Sequence, residues 1–149
     1  FYQKQTEHSA EQDEITVISC NGISYKRYLE IAESTNKKIA VITDNDKKED
    51  RILEAKKFNE QHDLQHIFMA EDVEGWTWEV CIYNANKVKL DSFIKVRENT
   101  NYLFHEQDYG QVIGKMLNNK VDTAYSMLTS EVAFEPPQYV KDAILWINK

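Results

Sequence analysis

The sequence predicts an α/β fold in which a small parallel sheet flanked by helices is followed by a helical C-terminal portion. Three observations carry that expectation. Short apolar runs alternate with amphipathic stretches in the first half, as in βαβ units. The second half shows only helical periodicity. Four glycines and two prolines in 149 residues are too few for the many tight turns of a β-sandwich or barrel. A chain of this length suits one domain, so residues 1–149 are expected to form a single domain, with 71–149 as its mainly helical part.

The strands are expected at Ile15–Cys20 (ITVISC), Ile39–Thr43 (IAVIT) and His66–Ala70 (HIFMA). The first two are nearly continuous apolar runs, the pattern of strands covered on both faces. Between the first two, Ser24 stands where it can cap a helix whose Tyr25, Tyr28, Leu29 and Ala32 fall at i, i+3, i+4 and i+7. A second helix is expected from about Lys48 to Gln61, with Ile52, Ala55 and Phe58 inward.

Beyond Ala70 the aromatic stretch Trp76–Tyr83 opens a helical region that continues through Lys87–Val96. Asp108 is placed to cap a helix with Val112, Ile113, Met116 and Leu117 inward. After the Asn118–Asn119–Lys120 break, Val121, Ala124, Tyr125 and Leu128 fall on one face of another. Pro137, tolerated at a first helical position, opens the last, with Tyr139, Val140, Ala143, Ile144 and Ile147 on one side.

Composition narrows the function. The net charge of −7 argues against a basic, phosphate-reading nucleic-acid module. An acidic chain can still act on DNA if its carboxylates hold divalent cations. No apolar run approaches the roughly 18 residues of a membrane span, and the polar opening Phe1–Glu14 lacks the pattern of a secretory signal. A cytoplasmic protein without membrane contact is expected. Cys20 and Cys81 lie in apolar surroundings and are expected to be buried, reduced thiols. A chain that opens on Phe1 and runs at once into a polar, helix-like stretch is expected to be a segment of a longer protein.

In open α/β sheets ligands bind beyond the carboxyl ends of the strands, and the second run is followed there by Asp44-Asn45-Asp46. If strand geometry continues through Asp46, the two carboxylates project to one side. Two like charges so placed call for a cation between them, and hard oxygen donors suit Mg²⁺ or Mn²⁺. The competing reading is a helix cap, because Asp46 precedes a helix and Asp is a favoured N-cap. Glu79 sits among Trp78, Val80, Cys81, Ile82 and Tyr83, so it must either face water or meet a cation. Lys120 stands at a helix start, where a positive charge opposes the dipole. Glu71, Asp72 and Glu74 read as solvated loop acids. His62 and His66 lack the H-E-x-x-H context of a zinc site.

Taken in order, ITVISCNG, YKRYLEIA, KIAVITDND, TWE, K-x-x-x-A at Lys120–Ala124 and PPQYVKDAILWI resemble the TOPRIM (topoisomerase–primase) domain at the C-terminal end of OLD-family ATP-dependent endonucleases. The resemblance runs over nearly the whole chain. It implies a TOPRIM-like (Rossmann-like) fold and a metal-dependent DNA endonuclease, with Asp44 and Asp46 as the metal-binding D-x-D. Thr77-Trp78-Glu79 is similar to the family's T-L-E, which makes Glu79 a further metal-site acid. Gly22 matches a glycine turn. Lys120 looks like the lysine of K-G-x-x-A, placed to stabilise charge at the scissile phosphate, although Val121 stands where the glycine is usual.

The same resemblance implies DNA as substrate, Mg or Mn as cofactor, a preceding ATPase domain as partner, and a possible homo-oligomer in the intact protein. The family's E-G-x-x-E motif does not precede Ile15. The chain is therefore expected to be a fragment lacking the first strand, inactive or weak by itself.

Two rival readings come from other classes. In one, a non-catalytic interaction domain docks a partner through its acidic surface. In the other, a receiver-like phosphate switch would need an acidic pair after its first strand, which the Asn21-Gly22 turn does not supply.

Overall fold

The structure, a computed structural model, describes residues 1–20 and 22–149. Among these the chain is α/β, with eight α-helices, one two-stranded parallel sheet and one short hairpin. It divides into two compact units: Phe1–Trp76 with Gln138–Lys149, and Thr77–Pro137.

The first unit is built on a βαβ element. β1 (Ile39–Ile42) and β2 (Gln65–Phe68) pair in parallel, with Ile39 opposite Gln65 and Ile42 opposite Phe68. α3 (Glu49–Gln61) connects them and buries Ile52 and Ala55. Those two residues pack with Met69, Ile67 and Val73 into this unit's core, as the period of the apolar residues requires. Phe58 is half-buried and stacks on the His62 ring at 3.9 Å. α2 (Tyr25–Thr35) buries Leu29 and Ala32 and follows a single 3-10 turn at Gly22–Ser24. Gly22 has φ +59°, a left-handed conformation that glycine adopts without a steric penalty. Ser24 stands at the N-cap, but its hydroxyl makes no cap hydrogen bond. α1 (Tyr2–Thr6) is shorter than the polar N-terminal pattern suggests, and residues 10–14 form turns.

The strand expected at Ile15–Cys20 does not form: these six residues carry no regular structure. Val17 is 81% exposed and Ile18 54%. A continuous apolar run supplies β propensity, but a strand exists only where a neighbour takes up its hydrogen bonds. Among the described residues β1 pairs with β2 alone. Asn21, of the expected Asn21-Gly22 turn, lies outside the described residues.

α8 (Gln138–Ile147) closes this unit, burying Tyr139, Val140, Ala143 and Ile144, the face read from its spacing. At its C-terminal end Trp146 stacks on His66 of β2, ring centroids 4.4 Å apart. Lys38 Nζ lies 4.6 Å from the Trp146 ring centroid and donates to the Trp146 carbonyl at 2.7 Å.

The second unit contains α4 (Trp78–Ala85), α5 (Lys87–Phe93), α6 (Gln111–Asn118) and α7 (Lys120–Thr129). Ile82, Leu90, Ile94, Met116 and Phe134 form its core. Asn86, between α4 and α5, donates to the carbonyls of Ile82 at 2.9 Å and Glu135 at 2.7 Å, and accepts from the Glu135 N–H at 2.7 Å. A helical region alone was expected here, yet β3 (Leu103–Phe104) and β4 (Gln107–Asp108) make a two-residue antiparallel hairpin. Asp108 does not cap α6: Gly110 is the N-cap, and the Asp108 carboxylate accepts the Gly110 N–H at 2.8 Å. Gly114 lets α6 lie against this segment, since a Cβ there would stand 1.9 Å from the Tyr102 carbonyl oxygen. On α7 the face read as one apolar stripe is turned outward, with Val121, Tyr125 and Leu128 exposed, while Thr123 is buried. Cys20 and Cys81 are free thiols, both half-buried rather than fully enclosed.

Burial holds the His66 pKa below its ordinary 6.5, and the nearby Lys38 charge acts in the same direction. The folded state therefore favours the neutral ring, so its stabilising contribution is present above the unfolded value and is lost as pH falls through the depressed folded one. Urea midpoints measured between about pH 7.5 and 5 should fall toward the acid end, and His66→Phe should flatten that slope. An unchanged slope in the variant would remove His66 as its source.

Candidate functional site

The end of β1 is where the sequence places the chemistry, and its geometry is set by the middle residue of Asp44-Asn45-Asp46. Asn45 is fully buried, at 0% exposure. Its side-chain amide donates to the carbonyls of Ala70 at 3.2 Å and Asp72 at 2.7 Å, both on the segment that follows β2. Its side-chain oxygen accepts the Lys47 N–H at 3.0 Å, and its carbonyl accepts the Lys48 N–H at 3.0 Å. The Asp46 N–H reaches the Trp76 carbonyl at 3.1 Å. Five hydrogen bonds thus lock a turn whose two central residues, Asp46 and Lys47, have φ of 53° and 61°. Left-handed backbone is uncommon outside glycine and is tolerated best by Asn and Asp.

This turn corrects two expectations. Strand geometry stops at Ile42, so alternation along a strand is not what aims the carboxylates. The capping alternative fails as well, because Lys48 is the N-cap of α3 and the Asp46 carboxylate is ion-paired with the Arg51 guanidinium of the first helical turn. Asp44 is half-buried and Asp46 exposed, on either side of the buried Asn45. The donor set is two hard carboxylates at the carboxyl end of a parallel strand. Arg51 shows that Asp46 already attracts a cation, so the chemistry fits a divalent ion taking Arg51's place. Among the described residues no group of three His, Cys, Asp or Glu forms a cage. That does not conflict with Mg²⁺, which commonly uses one or two carboxylates and retains water.

Glu79 and Lys120 lie in the second unit, and the structure brings them together. Glu79, in the first turn of α4, is only 8% exposed. Its Oε2 accepts from the Thr77 hydroxyl at 2.8 Å and from Lys120 Nζ at 3.1 Å. The requirement read from the sequence, that a carboxylate among apolar neighbours find water or a cation, is met by the cation. Lys120 opens α7 and is about half exposed, its side chain at 47%. The pair borders a cavity of about 240 Å³, lined also by Trp78, Ile82, Met116 and Ala124. Glu71, Asp72 and Glu74 are exposed as expected. His62 bonds the Phe58 carbonyl at 2.8 Å and His66 stacks on Trp146.

Two residues of these sites, Asn45 and Arg51, were not singled out from the sequence, and Thr77 was named only as part of the Thr77-Trp78-Glu79 motif, without a role of its own. The available signal was positional: Arg51 falls in the first turn after the acids, and Thr77 two residues before Glu79.

Residues 1–46 match the family model described as Overcoming lysogenization defect protein-like, TOPRIM domain. The resemblance read from the sequence is thus found independently over the segment that contains Gly22 and ends on Asp46. A match of this kind points to a nucleic-acid-processing, metal-binding class of domain, since TOPRIM domains generally bind divalent metals. The matched segment stops before Glu79 and Lys120. No curated protein and no solved structure matches the chain.

Two substitutions test these local architectures. Asn45→Ala strands the Ala70 and Asp72 carbonyls and should lower unfolding stability by about 2–4 kcal/mol in urea titrations. A loss under about 0.5 kcal/mol would mean the turn holds without the amide. In a Glu79–Lys120 double-mutant cycle (Glu79→Gln, Lys120→Met), the coupling energy should be about 1 kcal/mol, modest because the lysine is half solvated. A coupling near zero would leave Thr77 as the only effective partner of the carboxylate.

Proposed function

We propose that the chain is part of a divalent-metal-dependent DNA endonuclease that hydrolyses phosphodiesters with Mg²⁺ or Mn²⁺. Asp44 and Asp46 are its carboxylate ligands, Glu79 a further acid of the metal site, and Lys120 the cation that meets the scissile phosphate. The observation that supports this reading is the buried Asn45, which fixes the turn carrying Asp44 and Asp46 at the end of β1, inside the segment that matches TOPRIM domains.

A bound divalent ion would supply an activated water and neutralise phosphate oxygens. The chain's own residues do the rest. Asp44 and Asp46 would hold the ion, on a turn whose Asn45 amide is fixed to two carbonyls. Arg51, now paired with Asp46, would have to give up that carboxylate. Lys120, oriented by Glu79, stands beside a cavity and would stabilise negative charge as it develops. The net charge of −7 makes the cation necessary for more than chemistry, since DNA would otherwise be repelled.

Calorimetric titration of the 149-residue chain with Mn²⁺ tests the ligand assignment. Binding should be lost in Asp44→Asn and should tighten several-fold in Arg51→Ala, which frees Asp46 from its competing guanidinium. Unchanged binding in Asp44→Asn would contradict the proposal and favour the rival in which the acidic surface only docks a protein.

A further inference from the structure

The cavity beside Glu79 and Lys120 is apolar inside and charged at its rim. Its volume is about 240 Å³, and Trp78, Ile82, Met116 and Met127 form its apolar wall. Val121 and Ala124 border it from α7 and are both exposed, so it opens to solvent. An apolar void alone marks imperfect packing and lowers stability. Here a carboxylate with only 10% of its side chain exposed holds an ammonium whose own side chain is 47% exposed.

We infer that this cavity takes an unpaired DNA base while Lys120 meets the phosphate of the same nucleotide. The inference rests on the reading of the chain as part of a DNA endonuclease and adds the structural class of DNA, one with a single-stranded stretch or an extruded base at the site. Size supports it. An apolar cavity of about 150 Å³ admits a benzene ring, so the extra room here suits the larger ring of a base, while it falls short of the roughly 300–1,000 Å³ of drug-sized ligands. The wall suits a flat ring as well. Trp78 offers an aromatic surface, and the Met116 and Met127 thioethers are polarisable groups that pack favourably on rings. A base inside a duplex is covered on both faces by its neighbours, so it enters such a cavity only when unpaired or extruded.

Charge fixes which end of the ligand faces out. An ammonium carries three donors. Lys120 directs one at Glu79 Oε2 at 3.1 Å, which leaves donors for a phosphate oxygen on the solvent side. Glu79 thereby acts as a positioning residue for the lysine. The net charge of −7 repels a polyanion in general, so a nucleotide is held only where a cation and a stacked base act together.

The methionines provide the readout, since Met116 and Met127 border the cavity and Met69 lies in the core of the other unit. In ¹³C-methyl spectra of the 149-residue chain in EDTA, dAMP should shift the Met116 and Met127 methyls by the ring current of its base and leave Met69 in place, with Kd on the order of 1 mM. Deoxyadenosine, without the phosphate, and deoxyribose 5-phosphate, without the base, should each bind at least about fivefold more weakly. A single-stranded oligonucleotide should reproduce the shifts, and the blunt duplex of the same sequence should not. Ala124→Phe, which fills the mouth from an exposed position, should abolish them. Lys120→Met should erase the preference for dAMP over deoxyadenosine and Lys120→Arg should keep it, with the Met69 methyl and far-UV circular dichroism reporting that each variant is folded. No shift at about 10 mM dAMP, equal binding of either half of the nucleotide, dAMP binding without single-strand binding, or equal binding of N-acetylphenylalanine, a peptide-like ring with a carboxylate, would overturn the inference. Because EDTA removes divalent ions, such a failure leaves the Mn²⁺ assignment of Asp44 standing, and a failure of Mn²⁺ binding leaves these shifts unchanged.

Discussion

One buried amide organises the end of the parallel sheet. Asn45 has no access to solvent, and its side chain joins the turn after β1 to the segment after β2 through the Ala70 and Asp72 carbonyls. An amide is suited to this place because it offers donors to two carbonyls and an acceptor to the Lys47 N–H. An acid at the same position would have set negative charge against carbonyl oxygens. The two aspartates are where they are because the residue between them cannot turn outward. The Asp46–Arg51 ion pair is made from the same turn.

The carboxylates of the two units meet cations of the chain in different ways. Asp46 is exposed and pairs with Arg51 across the start of α3, a pair that water and ions can reach and exchange. Glu79 is enclosed, and its Lys120 partner comes from a helix 41 residues further along. Breaking an enclosed pair leaves a charge with poor solvation, whereas breaking an exposed one costs little. Asp46 is therefore the carboxylate ready to take an incoming ion, and Glu79 the one held in a fixed orientation.

Much of this was legible in the sequence, where period and local chemistry agreed. β1, β2, α3 and α8 follow from their apolar spacing, and the need of Glu79 for a cation follows from its neighbours. Lys120, conspicuous at a helix start, turned out to be that cation. What the sequence does not carry is partnership. The run from Ile15 to Cys20 has strand composition but no strand beside it. In α7 the apolar stripe was read correctly as a stripe, yet periodicity does not say whether a face meets the core or solvent. The left-handed backbone at Asp46 depends on bonds from Asn45 and Trp76, and no local propensity for Asp specifies it. For the same reason the readings of Asp46 as strand residue and as helix cap both failed: neither contains the Arg51 side chain.

The account depends on a divalent ion settling between Asp44 and Asp46. Paramagnetic broadening by Mn²⁺ in amide-resolved NMR spectra of the 149-residue chain reports that position directly. At substoichiometric Mn²⁺ the amides of Asp44 to Lys48 should broaden first, along with those of Ala70 to Asp72 that Asn45 ties to them. Broadening spread over the surface acids, with the Asp44–Lys48 amides no more affected than Glu71 or Glu74, would contradict it.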